Sequence, residues 1–305
     1  MIYDVIIIGS GPAGLSAAIY GKRAGLDALV LERQPMSGGQ ILNTYEVDNY
    51  PGLPGIGGFE IGQKFREHAD KLGVEIKTAG VCGLETAGEL FRVQTNDGEL
   101  QSRTLILATG AGHRKLMVPG EEELAGMGVS YCATCDGAFF KNRAAAVVGG
   151  GDVALEDALF LARGCSKVYL IHRRDEFRGA KILQQRVKET PNIEILYHSV
   201  VEEICGKDAV ESVSVYNRKE ERRFKLQVSG VFVAVGIEPN SKIAEGFVPM
   251  DESGYLKAGE DCVTEIPGVF AAGDVRTKKL RQVVTAAADG ANAIASVEAY
   301  LLERG

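Results

Sequence analysis

The chain has 305 residues, 45% apolar and 25% charged, the composition of a globular protein with room for about two domains. Its formal net charge of −7 argues against a general binder of nucleic acid or of anionic membranes. The longest uncharged run, Val5 to Gly21, is 17 residues and holds four Gly and a Pro, too short and too broken to span a bilayer. The start has no basic n-region, so no secretory signal is expected and the reading is cytoplasmic.

In chain order, the first strong unit is Val5-Ile6-Ile7-Ile8, a short all-apolar run suited to a parallel strand buried on both faces. Gly9-Ser10-Gly11-Pro12-Ala13-Gly14 follows it, then a helix over Leu15 to Ala24, a stop at Gly25, and a strand Ala28 to Leu31 ending in Glu32. Gly9 allows the tight turn, Gly11 lets the backbone approach a pyrophosphate, and Gly14 allows close helix–strand packing. Glu32, 23 residues beyond Gly9, can accept hydrogen bonds from a ribose. A strand Leu105 to Ala108 then leads into the turn Thr109-Gly110.

Cys132-Ala133-Thr134-Cys135-Asp136 comes next. Six cysteines are too few for a disulfide scaffold, and only Cys132 and Cys135 form a C-x-x-C. His68, His113, His172 and His198 offer no zinc spacing, so no metal is expected. Two cysteines three apart at a helix start can close a small, reducible disulfide, and the helix N-terminus would stabilise the thiolate. Asp136 is a candidate acid–base group or a helix cap.

The glycine pattern returns 140 residues after Gly9. A strand Ala144 to Val148 delivers Gly149-Gly150-Gly151-Asp152-Val153-Ala154, a helix runs from Leu155 to Arg163, and Val168 to Ile171 is another strand. In place of an acid stand His172, Arg173 and Arg174, with Arg178 beyond. Guanidiniums there would pair with a 2′-phosphate, which points to NADPH over NADH; the alternative is a solvated charged turn. Near the end, Val269 to Ala272 is a strand delivering Gly273 and Asp274, whose carboxylate can hold the ribityl hydroxyls of a flavin. Arg281-Gln282-Val283 opens an Ala-rich helix to about Leu302, with backbone N–H groups able to face the isoalloxazine.

The expected fold is α/β, with two Rossmann-like dinucleotide-binding domains, the NADPH domain inserted into a split FAD domain. The boundaries are 1–114 for the first part of the FAD domain, 115–245 for the NADPH domain with the C-x-x-C, and 246–305 for the second FAD part. A flavin, a nicotinamide and a dithiol make one electron route: hydride from NADPH to FAD, then to the disulfide, then to an outside disulfide.

These motifs, with Gly38-Gly39-Gln40, Val47-Asp48-Asn49-Tyr50-Pro51-Gly52 and His172-Arg173-Arg174-Asp175, resemble the low-molecular-weight, bacterial-type NADPH-dependent thioredoxin reductases along essentially the whole chain. The resemblance implies a homodimer with one FAD per chain and thioredoxin or a thioredoxin-like protein as partner. It implies that Cys135 faces the flavin while Cys132 attacks the partner's disulfide. It places Arg33, Gly39, Gln40, Asn49, Val81, Ala108, Thr109 and Gly110 in the flavin site and Gly151, Asp152, Val153, Arg173, Arg174 and Arg178 at the NADPH. Two departures fall where a partner would dock: Met127 stands where the family commonly has Arg, and the aromatic pair is Phe139-Phe140. A flavin-dependent dithiol oxidase of the same fold, or a nucleotide-binding redox sensor, would carry many of the same motifs.

Overall fold

The structure, a computed structural model, describes residues 1–44, 47 and 49–304, the side chains of Asn43 and Cys135 excepted. Asp48 and the Cys135 side chain, both among the expected motifs, lie outside the described residues. The chain divides into two compact units, Met1–Gly112 with Glu238–Gly305, and His113–Ile237. The α-helices are, in chain order, α1 (Pro12–Arg23), α2 (Gly58–Lys71), α3 (Ala133–Asp136), α4 (Asp152–Ala162), α5 (Lys181–Glu189) and α6 (Val283–Leu302).

In the first unit the parallel strands Glu75–Thr78, Ala28–Glu32, Ile2–Ile8 and Gly98–Leu107 lie in that order, and Val269–Ala271 also pairs with the last. Leu90–Thr95 and Val81–Ala87 continue the sheet in antiparallel sense. The central strands are largely apolar because both faces are covered. Val5, Ile7, Val30 and Ile106 cluster with Ala17, Ala18, Ile294 and Val297 of α1 and α6. Ile6, Ile8, Leu29 and Leu105 turn the other way, against Phe91, Val93, Val248 and Leu256. A Cβ on Gly290 of α6 would overlap the Ala13 carbonyl oxygen, so glycine lets α1 and α6 touch backbone to backbone.

The second unit repeats the plan. Ile193–Leu196, Lys167–Ile171, Ala144–Gly149, Gly230–Ala234 and Val129–Ser130 form a parallel sheet. Ala145, Val147, Val168 and Phe232 pack on Leu155, Ala158 and Leu161 of α4 and Val187 of α5. Ala146, Val148, Ile171 and Val231 face a three-stranded antiparallel sheet, Ser199–Gly206, Val210–Asn217 and Arg222–Gln227.

The chain crosses between units at Gly112–His113 and Ile237–Glu238, and the connecting strands Ala111–His113 and Ile237–Pro239 pair with each other. The sequence predicts these joints near 115 and 245. Residues 238–245 are bonded into the first unit. Asn240 donates its N–H to the Gly110 carbonyl at 3.0 Å and its Nδ2 to the Thr109 carbonyl at 2.9 Å. Ala244 is buried in the first unit's core.

Candidate active site

In the first unit, the strand Ile2–Ile8 ends in Gly9, whose φ of +106° sharpens the turn. A Cβ on Gly9 would strike the Ala108 carbonyl, and one on Gly14 would strike the Gly9 carbonyl. Gly11, the N-cap of α1, faces open space instead: a Cβ there would meet only the Gly38 carbonyl oxygen, at 3.9 Å. That is the shape a pyrophosphate needs beside a helix N-terminus. Pro12 fills the first turn of α1 and Ala13 is buried. Glu32 stands across the turn, where its Oε2 accepts from the Ser10 N–H at 2.8 Å and hydroxyl at 2.7 Å, and Oε1 from the Gln34 N–H at 2.9 Å.

The tail of the chain returns to this turn. A Cβ on Gly273 would lie 2.9 Å from the Ala13 Cβ, so Asp274 emerges beside the start of α1. Among the described residues Asp274 Oδ1 is buried without a hydrogen-bond partner, and burial pushes the carboxyl pKa up. A buried, unsatisfied carboxylate oxygen fits a site that expects hydroxyl donors, as a ribityl chain would supply. Gln282 caps α6 with Thr285 in a reciprocal box and accepts from Asn49 Nδ2 at 2.7 Å. Arg281 lies over the Tyr255 ring at 3.9 Å, and Val283 is the first residue of α6. Arg33, Gly39 and Gln40 are exposed beyond the strand Ala28–Glu32. Val81 begins an outer strand, and Ala108, Thr109 and Gly110 continue from the strand beside Ile2–Ile8.

In the second unit, Gly151 is the N-cap of α4 and nothing lies within 4 Å of a Cβ placed on it. Val153 is exposed, while Asp152 accepts from the Ala180 N–H at 2.6 Å. Arg173, Arg174 and Arg178 are exposed just past the strand Lys167–Ile171, and among the described residues none of them has a carboxylate partner. The Arg178 N–H donates to the Gly150 carbonyl at 2.8 Å, which ties this cluster to the glycine turn. His172, expected at the cofactor, is buried against the glycine turn. Its Nδ1 and Nε2 each lie 2.9 Å from a carbonyl, of Gly149 and of Glu176, and burial lowers its pKa. It braces the turn.

The dithiol segment belongs to the same unit. Cys132 is disulfide-bonded, whereas Cys82, Cys165, Cys205 and Cys262 are free thiols. Cys132 is the N-cap of α3, which is only 4 residues long, so the helix dipole expected to stabilise a thiolate contributes little. Asp136 ends this helix and makes no side-chain cap. Its Oδ2 accepts from the Ser130 hydroxyl at 2.6 Å, and the same hydroxyl oxygen accepts from the Cys132 N–H at 3.1 Å. Tyr131 donates to Glu121 at 3.0 Å and stacks on His113 at 5.4 Å between ring centroids. Glu121, 1% exposed, also accepts from the N–H groups of Leu116 and Met117 at 2.9 and 2.7 Å. The two aromatics after the cysteines part company: Phe140 packs on Phe232 in the core, while Phe139 is 58% exposed. Met127 is 44% exposed.

The family model for pyridine nucleotide-disulphide oxidoreductases matches residues 3–290. A thioredoxin reductase of Listeria innocua is 45% identical over 303 residues, 99% of this chain and 95% of its own. One of Bacillus subtilis is 43% identical, over 99% of this chain and 96% of its own. The solved thioredoxin reductase of Streptococcus pyogenes superposes with a TM-score of 0.84 at 42% identity, covering 99% of both chains. The chain belongs to the thioredoxin reductases.

It is therefore a flavoprotein thioredoxin-disulfide reductase, with FAD and NADPH as its cofactors and thioredoxin as its substrate partner. The oxidase alternative is not favoured. No helix among the described residues is long and apolar enough to cross a membrane, and no His, Cys, Asp and Glu among them gather as a metal site. Sequence reasoning does not single out Ser130, Tyr131 and Glu121 around the dithiol. Ser130 is open to notice as a hydroxyl two residues before Cys132; nothing in the local pattern marks Glu121.

Proposed function

We propose that the first unit holds FAD and the second NADPH, and that Cys132 and Cys135 form the disulfide that passes reducing equivalents to thioredoxin or a thioredoxin-like protein. Bound in the first unit, FAD would supply the two-electron chemistry that links hydride from NADPH to opening of the disulfide. The chain's own groups do the rest. Gly9, Ser10, Gly11, Ala13 and Gly14 cradle the FAD pyrophosphate, Glu32 its ribose, and Asp274 its ribityl hydroxyls. Gln40, Asn49, Thr109, Arg281 and Gln282 close around the same site. Gly151 and Val153 cradle the NADPH pyrophosphate, and Arg173, Arg174 and Arg178 hold the 2′-phosphate. The Cys132 thiolate attacks the partner's disulfide, Cys135 resolves the mixed disulfide, and Asp136 gives a proton to the leaving thiolate.

The observation that carries this reading is Cys132 in a disulfide beside Ser130, whose hydroxyl joins it to Asp136. The partner docks over Met127 and Phe139, the exposed apolar side chains nearest the dithiol in sequence, and the protein works as a cytoplasmic homodimer. The test is steady-state turnover of FAD-loaded protein and its Cys135→Ser variant with NADPH and oxidised thioredoxin. Wild type reduces thioredoxin. The variant still has its FAD reduced by NADPH but reduces no thioredoxin, and full activity in it would remove the dithiol assignment.

A further inference from the structure

A dense set of buried charges surrounds the turn between the strand Val269–Ala271 and α6. Asp289 lies two turns into α6. Its Oδ2 accepts from the Gly273 N–H at 2.8 Å, from Arg276 Nε at 2.8 Å and from Lys278 Nζ at 2.9 Å. Its Oδ1 accepts from Arg276 Nη2 at 2.7 Å. The side chains of Arg276 and Lys278 are each 7% exposed and that of Asp289 5%. One carboxylate thus holds two buried cations.

Next to this cluster, Asp274 Oδ1 is buried with no hydrogen-bond partner among the described residues. Lys278 and Arg281 are the cations whose charges act on Asp274, yet among the described residues neither bonds to its carboxylate. Arg281 donates instead to the backbone carbonyls of Asp274 and Arg276, each at 3.4 Å, and rests on Tyr255. Lys278 Nζ donates to Asp289 Oδ2 at 2.9 Å. A buried ammonium that loses its anion seeks the nearest other one, and a lysine stem is flexible enough to turn toward it.

We propose that Asp289 is a positioning residue for the flavin: by holding Lys278, it keeps Asp274 Oδ1 open for a hydroxyl of FAD. Through the Gly273 N–H it also fixes the turn from which Asp274 projects. The proposal rests on the reading of Asp274 as a flavin ligand. It makes a demand that a merely structural role does not, namely that removing Lys278 repairs the damage done by removing the Asp289 charge.

The experiment is titration of FAD into apo-protein, followed by flavin fluorescence. Asp289→Asn is expected to raise the Kd for FAD about tenfold or more, the loss of one charge-assisted hydrogen bond, as Lys278 swings onto Asp274. Lys278→Met alone leaves the Kd near the wild-type value. The Asp289→Asn, Lys278→Met double variant returns it to within a few-fold of wild type. A double variant that binds FAD as weakly as Asp289→Asn overturns the proposal, as does an Asp289→Asn variant that binds normally. Should Asp289→Asn fail to fold, the double variant, which no longer carries the competing ammonium, decides alone: tight binding supports the proposal and weak binding overturns it. Asp274→Asn is titrated in parallel. If it binds FAD like wild type, the reading of Asp274 fails on its own account, separately from the Asp289 effect.

Discussion

Ser130 has one hydroxyl proton, and at 2.6 Å from Asp136 Oδ2 that proton is committed to the carboxylate, while its oxygen holds the Cys132 N–H. One small side chain therefore registers both ends of α3, which would aim Asp136, in its proposed acid–base role, relative to the sulfur. Ser130→Ala is expected to lower kcat for thioredoxin reduction by roughly tenfold, less than the full contribution of an acid–base group because Asp136 is misaligned rather than lost, while NADPH reduces the bound FAD at the normal rate. Stopped-flow separation of the two half-reactions checks this, and equal losses in both would point to a general structural defect. Arg173 and Arg174 give a second expectation. Each charge-assisted hydrogen bond to phosphate contributes roughly 1.5–3 kcal/mol, so the Arg173→Ala, Arg174→Ala double variant should weaken NADPH binding about a hundredfold or more. NADH, which has no 2′-phosphate, should bind as before; parallel losses for both nucleotides would refute the assignment.

Among the elements, α4 carries an unused titration. Burial, with Glu156 beside it, pushes the Asp157 carboxyl up to about 7. Its folded pKa lies above the unfolded value, so the stability linked to the bound proton is present at low pH and lost as pH rises toward 7. Asp157→Asn should therefore raise the urea midpoint at pH 8 and lose that advantage toward pH 4; a constant difference between the two would contradict the shift. The elements also explain what the sequence could disclose. Val5 to Ile8 and Ala144 to Val148 are legible because a parallel strand buried on both faces needs an unbroken apolar run. The three-stranded sheet of 199–227 is not, since Glu202, Glu203, Arg222 and Lys225 interrupt its apolar positions and one of its faces meets water. His172 reads as a cofactor neighbour from its place after a strand; the carbonyls that meet its ring, of Gly149 and Glu176, are set by the fold. Asp289 reads as a polar residue in an Ala-rich helix; its partners, Gly273, Arg276 and Lys278, are 11 to 16 residues away and meet it only in the fold.

At the scale of the whole molecule, the dithiol and the proposed NADPH cradle share one unit. A Cβ on Gly137, just after α3, would lie 3.0 Å from Phe160 and Leu161 of the helix that starts at the glycine turn, so the two sites move together. Both must reach the FAD proposed in the other unit, and two groups on one body cannot occupy the same reactive position at once. The second unit is therefore expected to rotate on the paired strands Ala111–His113 and Ile237–Pro239 during each cycle, a hinge motion of microseconds to milliseconds. A covalent cross-link between the units should block one half-reaction and spare the other; normal turnover of the locked enzyme would rule the rotation out. The joint at 237–238 is hard to place from sequence because the bonds from Asn240 to Thr109 and Gly110 span about 130 residues of chain. The central claim, an electron route from NADPH through FAD and the Cys132 disulfide to thioredoxin, is tested most directly by stoichiometry. FAD-loaded protein is mixed with NADPH and oxidised thioredoxin, and NADPH consumed, thioredoxin thiols formed and hydrogen peroxide are measured together. The expected result is two thiols per NADPH and negligible peroxide; NADPH consumption matched by peroxide, with no thiols formed, would contradict it.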